Sequence, residues 1–200
     1  MTRWFTADLH FGHTNIIRYC ERPFADAQTM NAELISRWND LVADDDEVWV
    51  LGDVAMGTIA ETLPLVGELS GRKVLVPGNH DRCWAGHGPQ AAEWVGRYHD
   101  AGFDAILQGV VPLEVGGSPA RACHFPIEGD SHDEDRFDSF RPEPAPGWLL
   151  HGHVHTRWRR NGEQLNVGCD VWDYRPVAEG VVVETLRTAS GRPDPGRRTR

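Results

Sequence analysis

Two hundred residues with 40% hydrophobic content suit one globular domain with a substantial core and exclude an intrinsically disordered chain. No apolar run approaches ~18 residues and the opening MTRWFTADLH has no signal-peptide core, so no membrane span or export is expected and the chain reads as cytoplasmic. The net charge is −10, and because the last fourteen residues, RTASGRPDPGRRTR, carry +4, the body is near −14; such a surface repels polyanions, so long nucleic acid is not an expected partner.

Residues 3–9, RWFTADL, predict a first strand that ends at Asp-x-His. A helical stretch follows, with Thr14 or Asn15 as its cap. Residues 28–42 place Met30, Leu34, Ile35, Trp38, Leu41 and Val42 at helical spacing, a stripe facing the core. EVWVLGD (47–53) and KVLVPGNHD (73–81) predict the next two strands. Between them, residues 58–70 predict a helix with a kink or late start at Pro64. Residues 89–101 predict another helix, and strands are expected over 105–115, 121–126, 147–155 and 163–172. Residues 181–186 fit a strand or a helix equally. Early strands alternating with helices, then a run of strands, indicate an α/β protein with more than one sheet.

A single domain is expected over 1–187, with a basic, disordered tail over 188–200. Residues 128–147, acidic and then proline-rich, form a long loop that is either a functional lid or a solvated insertion. Cys20, Cys83, Cys123 and Cys169 form no CxxC pair and are expected to be buried thiols.

One regularity runs through the expected strands. Five of them end in ionisable or amide residues: Asp8-Leu9-His10, Gly52-Asp53, Gly78-Asn79-His80-Asp81, Cys123-His124 and Gly152-His153-Val154-His155. Ligands of α/β sheets gather at the carboxyl ends of strands, so these residues are candidates to converge. Taken singly, most have ordinary readings as turn, cap or core residues. The GHVH pair is stronger, because residues two apart on a strand face the same way. Together the carboxylates, imidazoles and one amide suit manganese, iron or zinc better than calcium or magnesium. They are too many for one ion with an open position and about right for two ions sharing a carboxylate.

DLH, GD, GNHD, a lone histidine and GHVH, in that order over residues 6–156, resemble the motif set of the calcineurin-like metallophosphoesterases. The stretches DLHFGHTNIIRYCERPF and NVGCDVWDYRPV look like a small bacterial and phage-type subgroup of phosphoesterases. The resemblance implies two mixed β-sheets packed face to face and flanked by helices, a four-layer sandwich. It implies two divalent ions, with manganese first and iron, zinc or cobalt as alternatives. Asp8, His10 and His155 would hold one ion, and Asn79, His124 and His153 the other. Asp53 would bridge them, and His80 would be the catalytic histidine. His151 has no matching role and is expected in the core or behind the ligands.

Two cations close together would bind the phosphate oxygens and acidify a water, whose hydroxide attacks phosphorus. His80 would stabilise the transition state or protonate the leaving oxygen, and Asp81 would orient its ring or cap the next segment. Asp170 and Asp173 are candidates to accept a hydrogen bond from the second N–H of ligand imidazoles. His13 is expected to face substrate or cap a helix, and Arg22 and Arg175 to clamp a phosphate or pair with acids; Trp84, after GNHDRC, is only a candidate to line a pocket. The expected activity is hydrolysis of a small nucleotide-like phosphodiester, ahead of a phosphomonoester and of nuclease action. A scaffold that has lost catalysis is disfavoured, since His80 and the whole ligand set are present. A structural zinc site is disfavoured because no cysteine falls in the motifs.

Overall fold

The computed structural model describes residues 1–188; the expected tail beyond them lies outside the described residues. In chain order the strands are β1 (Arg3–Thr6), β2 (Glu47–Val50), β3 (Arg72–Leu75), β4 (Ala105–Ile106), β5 (Val111–Val115), β6 (Ser118–Ala122), β7 (Trp148–His151), β8 (Arg160–Asn161), β9 (Gln164–Asn166) and β10 (Val177–Ala178). The α-helices are α1 (Thr14–Tyr19), α2 (Ala27–Asn39), α3 (Ile59–Thr62), α4 (Ala92–Asp100) and α5 (Glu179–Thr188).

Two five-stranded sheets form, ordered β10-β1-β2-β3-β4 and β5-β6-β7-β9-β8. In the first, β1 to β4 run parallel and β10 is antiparallel to β1. In the second, β6, β7 and β9 run parallel, with antiparallel strands at both edges. The two-residue period of a strand sorts the side chains. Phe5, Trp49 and Val74 sit side by side in register and face the second sheet. Ala122, Leu150 and Leu165 form the matching row on the other side. Val48, Val50 and Leu75 point the opposite way, onto Met30, Leu34 and Trp38 of α2. The fold is thus two mixed sheets packed face to face with helices outside, as expected. Each fully buried aliphatic or aromatic side chain in these layers contributes roughly 1.5–3 kcal/mol. Among the described residues no helix is long and apolar enough to cross a membrane.

Several boundaries differ from expectation for identifiable reasons. The strand expected over 105–115 is two strands in different sheets. The chain leaves the first sheet after Ile106, passes Gly109 at φ 75°, and enters the second at Val111. The strand expected over 163–172 stops at Asn166; Gly168 bridges Ala7, and a 3-10 turn at Cys169–Val171 follows. Residues 181–186 lie within α5. Pro64 opens a 3-10 segment, Leu63–Glu68, after α3, matching the expected kink. Leu41 lies beyond α2 and is exposed. The cap of α1 is neither Thr14 nor Asn15: His13 Nδ1 accepts from the Ile16 N–H at 3.1 Å. All four cysteines are buried thiols, as expected.

Candidate metal centre

The strands end earlier than their apolar runs, so the polar residues stand on the loops beyond them. Asp8, His10, Asp53, His153 and His155 have φ of 58°, 54°, 56°, 71° and 48°. This left-handed backbone is uncommon outside glycine and costs about 1–3 kcal/mol per residue, so its recurrence here marks a site held by its surroundings. His153 and His155 therefore do not share a strand face, as their spacing suggested; only His151 belongs to β7.

Main-chain hydrogen bonds run the loops together. Asp8 N–H donates to Gly52 O and His10 N–H to Asp53 O, both at 3.0 Å. His153 N–H donates to Asp8 Oδ2 at 3.0 Å. Two glycines make the approach possible. A Cβ at Gly52 would meet the Gly78 backbone N at 2.5 Å and His124 Nδ1 at 2.6 Å, and one at Gly78 would strike Asp53 Oδ1.

The result brings five of the seven expected ligands together. Donor atoms of Asp8, His10 and His155 lie within 4.8 Å of one another, as do those of Asp8, Asp53 and His124. Asp53 Oδ2 is 3.8 Å from His10 Nε2, 3.5 Å from His124 Nε2 and 3.9 Å from His80 Nε2. Buried polar atoms usually have partners. Among the described residues, His10 Nδ1 and Nε2, Asn79 Oδ1 and His124 Nε2 have none, and all belong to the expected ligands. Thr6 Oγ1, Arg121 Nε and His151 Nε2 are also without partners but lie outside that set. Asn79 Oδ1, His124 Nε2 and one nitrogen of the His10 ring thus offer lone pairs with no hydrogen to accept, which fits a cation.

The neighbouring groups set the protonation this requires. His124 Nδ1 donates to Leu51 O at 2.8 Å, His153 Nε2 to Asp130 Oδ2 at 2.8 Å, and His155 Nδ1 to Asp170 Oδ2 at 3.0 Å. Each bond leaves the other ring nitrogen to act as a ligand. Burial holds His10 well below the usual imidazole range and His153 near 3, so both are neutral. Asp53 stays below the ordinary carboxylate range: burial opposes its charge, but His124, His80 and the His80 N–H, at 2.9 Å, outweigh it.

The sequence model of the calcineurin-like phosphoesterases matches residues 1–157. The chain belongs to this family. The phosphoesterase is accordingly a metal-dependent hydrolase of phosphate esters. It is 36% identical over 188 residues to the Gene 66 protein of Mycobacterium phage D29, covering 88% of this chain and 92% of that one. It is 29% identical over 192 residues to the uncharacterized protein MJ1445 of Methanocaldococcus jannaschii, covering 92% and 90%. Its fold is similar to the crystal structure of AQ665, a protein of unknown function from Aquifex aeolicus, with TM-score 0.69, 23% identity and 92% and 98% coverage.

The remaining sequence candidates fall into several places in the phosphoesterase. His80 is partly exposed and lines the cleft. Asp81 does not reach its ring. The buried Asp81 carboxylate accepts from the N–H groups of Asp53, Val54 and Gly78 at 2.8, 3.1 and 2.9 Å and from Tyr98 OH at 3.3 Å, so it ties two ligand loops together. Arg22 is buried away from the cleft, where its fork grips Asp170 at 2.8 and 3.0 Å. It also donates to the carbonyls of Asp8 and Leu9. It is thus no phosphate clamp, because every face of its guanidinium is committed inside the protein. Asp170 supports His155, as expected, whereas Asp173 is exposed. Arg175 is exposed and is not among the cleft-lining residues. His13 both caps α1 and lines the cleft. Trp84 lines no part of it and packs among Phe125, Phe137 and Phe140. His151 is buried against Trp158, with burial holding it near 3. Sequence reasoning missed Asp130, the partner of His153. The acidic run marked its loop, but no spacing distinguishes Asp130 from its neighbours.

Metal uptake by the phosphoesterase is expected to release protons. Burial opposes a charge on His155, but Asp8 and then the bond to Asp170 hold the ring well above its usual range. Burial pushes Asp8 up to about 6. A cation on these groups displaces their protons, so affinity rises with pH and weakens again below about 6, where Asp8 protonates. Calorimetric titrations at pH 7 in buffers of different ionisation enthalpy should show net proton release; equal apparent enthalpies in all buffers would contradict this.

Proposed function

We propose that this phosphoesterase hydrolyses small nucleotide-like phosphodiesters at a centre of two divalent ions. Manganese is the first metal to test, followed by iron, zinc and cobalt. Asp8, His10 and His155 would hold one ion, Asn79, His124 and His153 the other, with Asp53 shared. The observation that carries this reading is the position of Asp53, whose Oδ2 lies 3.8 Å from a ring nitrogen of one ligand set and 3.5 Å from one of the other. An ionised carboxylate lying between ring nitrogens of the two ligand sets suits a bridge.

Divalent ions bound there supply positive charge to the phosphate oxygens and make a coordinated water more acidic. The chain's own groups do the rest. The Asn79 oxygen is a neutral donor, so it adds no negative charge opposing an anionic substrate. Burial holds His80 below the ordinary imidazole range, against the pull of Asp53, so at pH 7 its ring is neutral and offers an N–H to a phosphate or leaving oxygen. Asp81 keeps the Asp53 and His80 loops in register through three backbone amides.

Two cavities favour a diester. One of about 590 Å³ reaches Tyr19 and Arg157, and one of about 350 Å³ reaches Met56 and His87; they share Asn79 and His80. A monoester has one organic arm, whereas a diester places one arm on each side of His80.

The test is an assay on metal-stripped protein reloaded with Mn²⁺, using bis-p-nitrophenyl phosphate and p-nitrophenyl phosphate. The diester should be the faster substrate, its turnover should require metal, and His80→Ala should lower it by ~10²-fold or more. A faster monoester would overturn the diester assignment, and full turnover in His80→Ala would remove His80 from the chemistry.

A further inference from the structure

The loop over 128–147 is built around one acid. Asp133, Glu134, Asp135 and Asp138 are exposed, but the Asp130 side chain is fully enclosed. It accepts from His153 Nε2 at 2.8 Å, from Arg136 Nη2 at 2.8 Å, from Arg141 Nη2 at 3.3 Å, and from the His132 and Arg136 N–H groups at 3.0 and 3.2 Å. Arg141 in turn donates to the carbonyls of Pro126, Gly129 and Arg136. The loop is thus a knot anchored on a candidate metal ligand, and its Ser131, His132 and Arg136 form part of the wall of the larger cavity.

This wall has the opposite sign to the rest of the protein. The chain carries −10, yet Arg136 and Arg157 line the cleft. Asp130 fixes Arg136 by Nε and Nη2 only; among the described residues Nη1 has no hydrogen-bond partner, and the side chain is 41% exposed. Arg157 pairs with Asp133, which is 97% exposed, so water competes strongly for that pair. A guanidinium held along one edge with donors left over suits a phosphate. The scissile phosphate already has the ligand centre, so these arginines are placed for another anion.

We propose that Arg136, with Arg157 beside it, binds a second phosphate carried by one arm of the substrate. This deepens the diesterase reading above and rests on it. The preferred substrate is then a diester with a further phosphate, and the loop is a fixed selective wall.

The test compares a thymidine dinucleotide with and without a 5′-terminal phosphate. The metal-loaded protein should favour the phosphorylated form by about 10-fold or more in kcat/KM, chiefly through KM, as expected for a charge-assisted contact. Arg136→Ala should bring the ratio close to one, and Arg136→Lys should restore part of it. Binding of both dinucleotides is measured in parallel by calorimetry on metal-loaded His80→Ala protein, with and without Arg136→Ala. Equal affinity for the two, or a preference that survives both Arg136→Ala and Arg157→Ala, overturns the proposal. A binding preference that needs Arg136 in a protein that cleaves no diester would support this site while defeating the diesterase reading.

Discussion

Asp53→Asn protein is expected to fold, to lose hydrolysis by about 10³-fold or more, equivalent to about 4 kcal/mol of barrier, and to bind divalent metal more weakly. Asparagine keeps the shape of the side chain, and its carbonyl can still accept the His80 N–H that Asp53 Oδ1 receives at 2.9 Å. What it removes is charge. Asp53 is ionised at neutral pH despite complete burial, and its Oδ2 lies 3.5–3.9 Å from His10, His80 and His124. Losing that charge removes the carboxylate that lies between the two expected ligand sets. Elemental analysis after dialysis should therefore show reduced metal content alongside the kinetic loss, with little change in the far-ultraviolet spectrum. An active Asp53→Asn protein with its metals intact would show that the carboxylate is not a bridge.

The largest expected effect on stability lies behind the centre. Arg22→Leu should destabilise the protein by about 3–5 kcal/mol, because removing one partner of a buried pair leaves the other charge uncompensated. Both side chains of the Arg22–Asp170 pair are fully buried. Burial opposes the Asp170 charge, yet Arg22 and then His155 hold its carboxyl at about 2, below the ordinary 3.8. The stability linked to this depressed carboxyl is present above about pH 4 and is lost as the pH falls towards 2. The substitution also strips hydrogen bonds from the Asp8 and Leu9 carbonyls, in the loop that carries two expected ligands. For a chain of this size the melting temperature should fall by roughly 10 °C. Asp170→Leu added to Arg22→Leu should recover part of the loss, since it removes the stranded charge. A melting temperature within about 2 °C of the parent would contradict this account.

Most of the centre was legible in the sequence. DLH, GD, GNHD, the lone histidine and GHVH supplied the candidate ligand types in order, and a shared position at strand ends gave reason to expect convergence. The helical stripe of Met30, Leu34 and Trp38 was legible too, because a 3.6-residue period shows in any amphipathic segment. These are local properties. They depend on residue type and spacing, which the sequence by itself determines.

Only the tertiary structure decided how those residues are held. Spacing suggested that His153 and His155 share a strand face, but both stand in left-handed backbone beyond β7, His153 with its N–H on Asp8. Residue type left Arg22 to clamp a phosphate or to pair with an acid, and Asp170, 148 positions away, occupies its fork. Asp130 was one acid among several in an acidic run, and its position against His153, 23 residues on, made it a support. Residues 105–115 looked like one strand because alternation does not record which sheet a strand joins. In each case the deciding term is the desolvation of a charge, or the choice between two surfaces on which to bury an apolar face. Both depend on neighbours brought together by folding, and no window of sequence contains them.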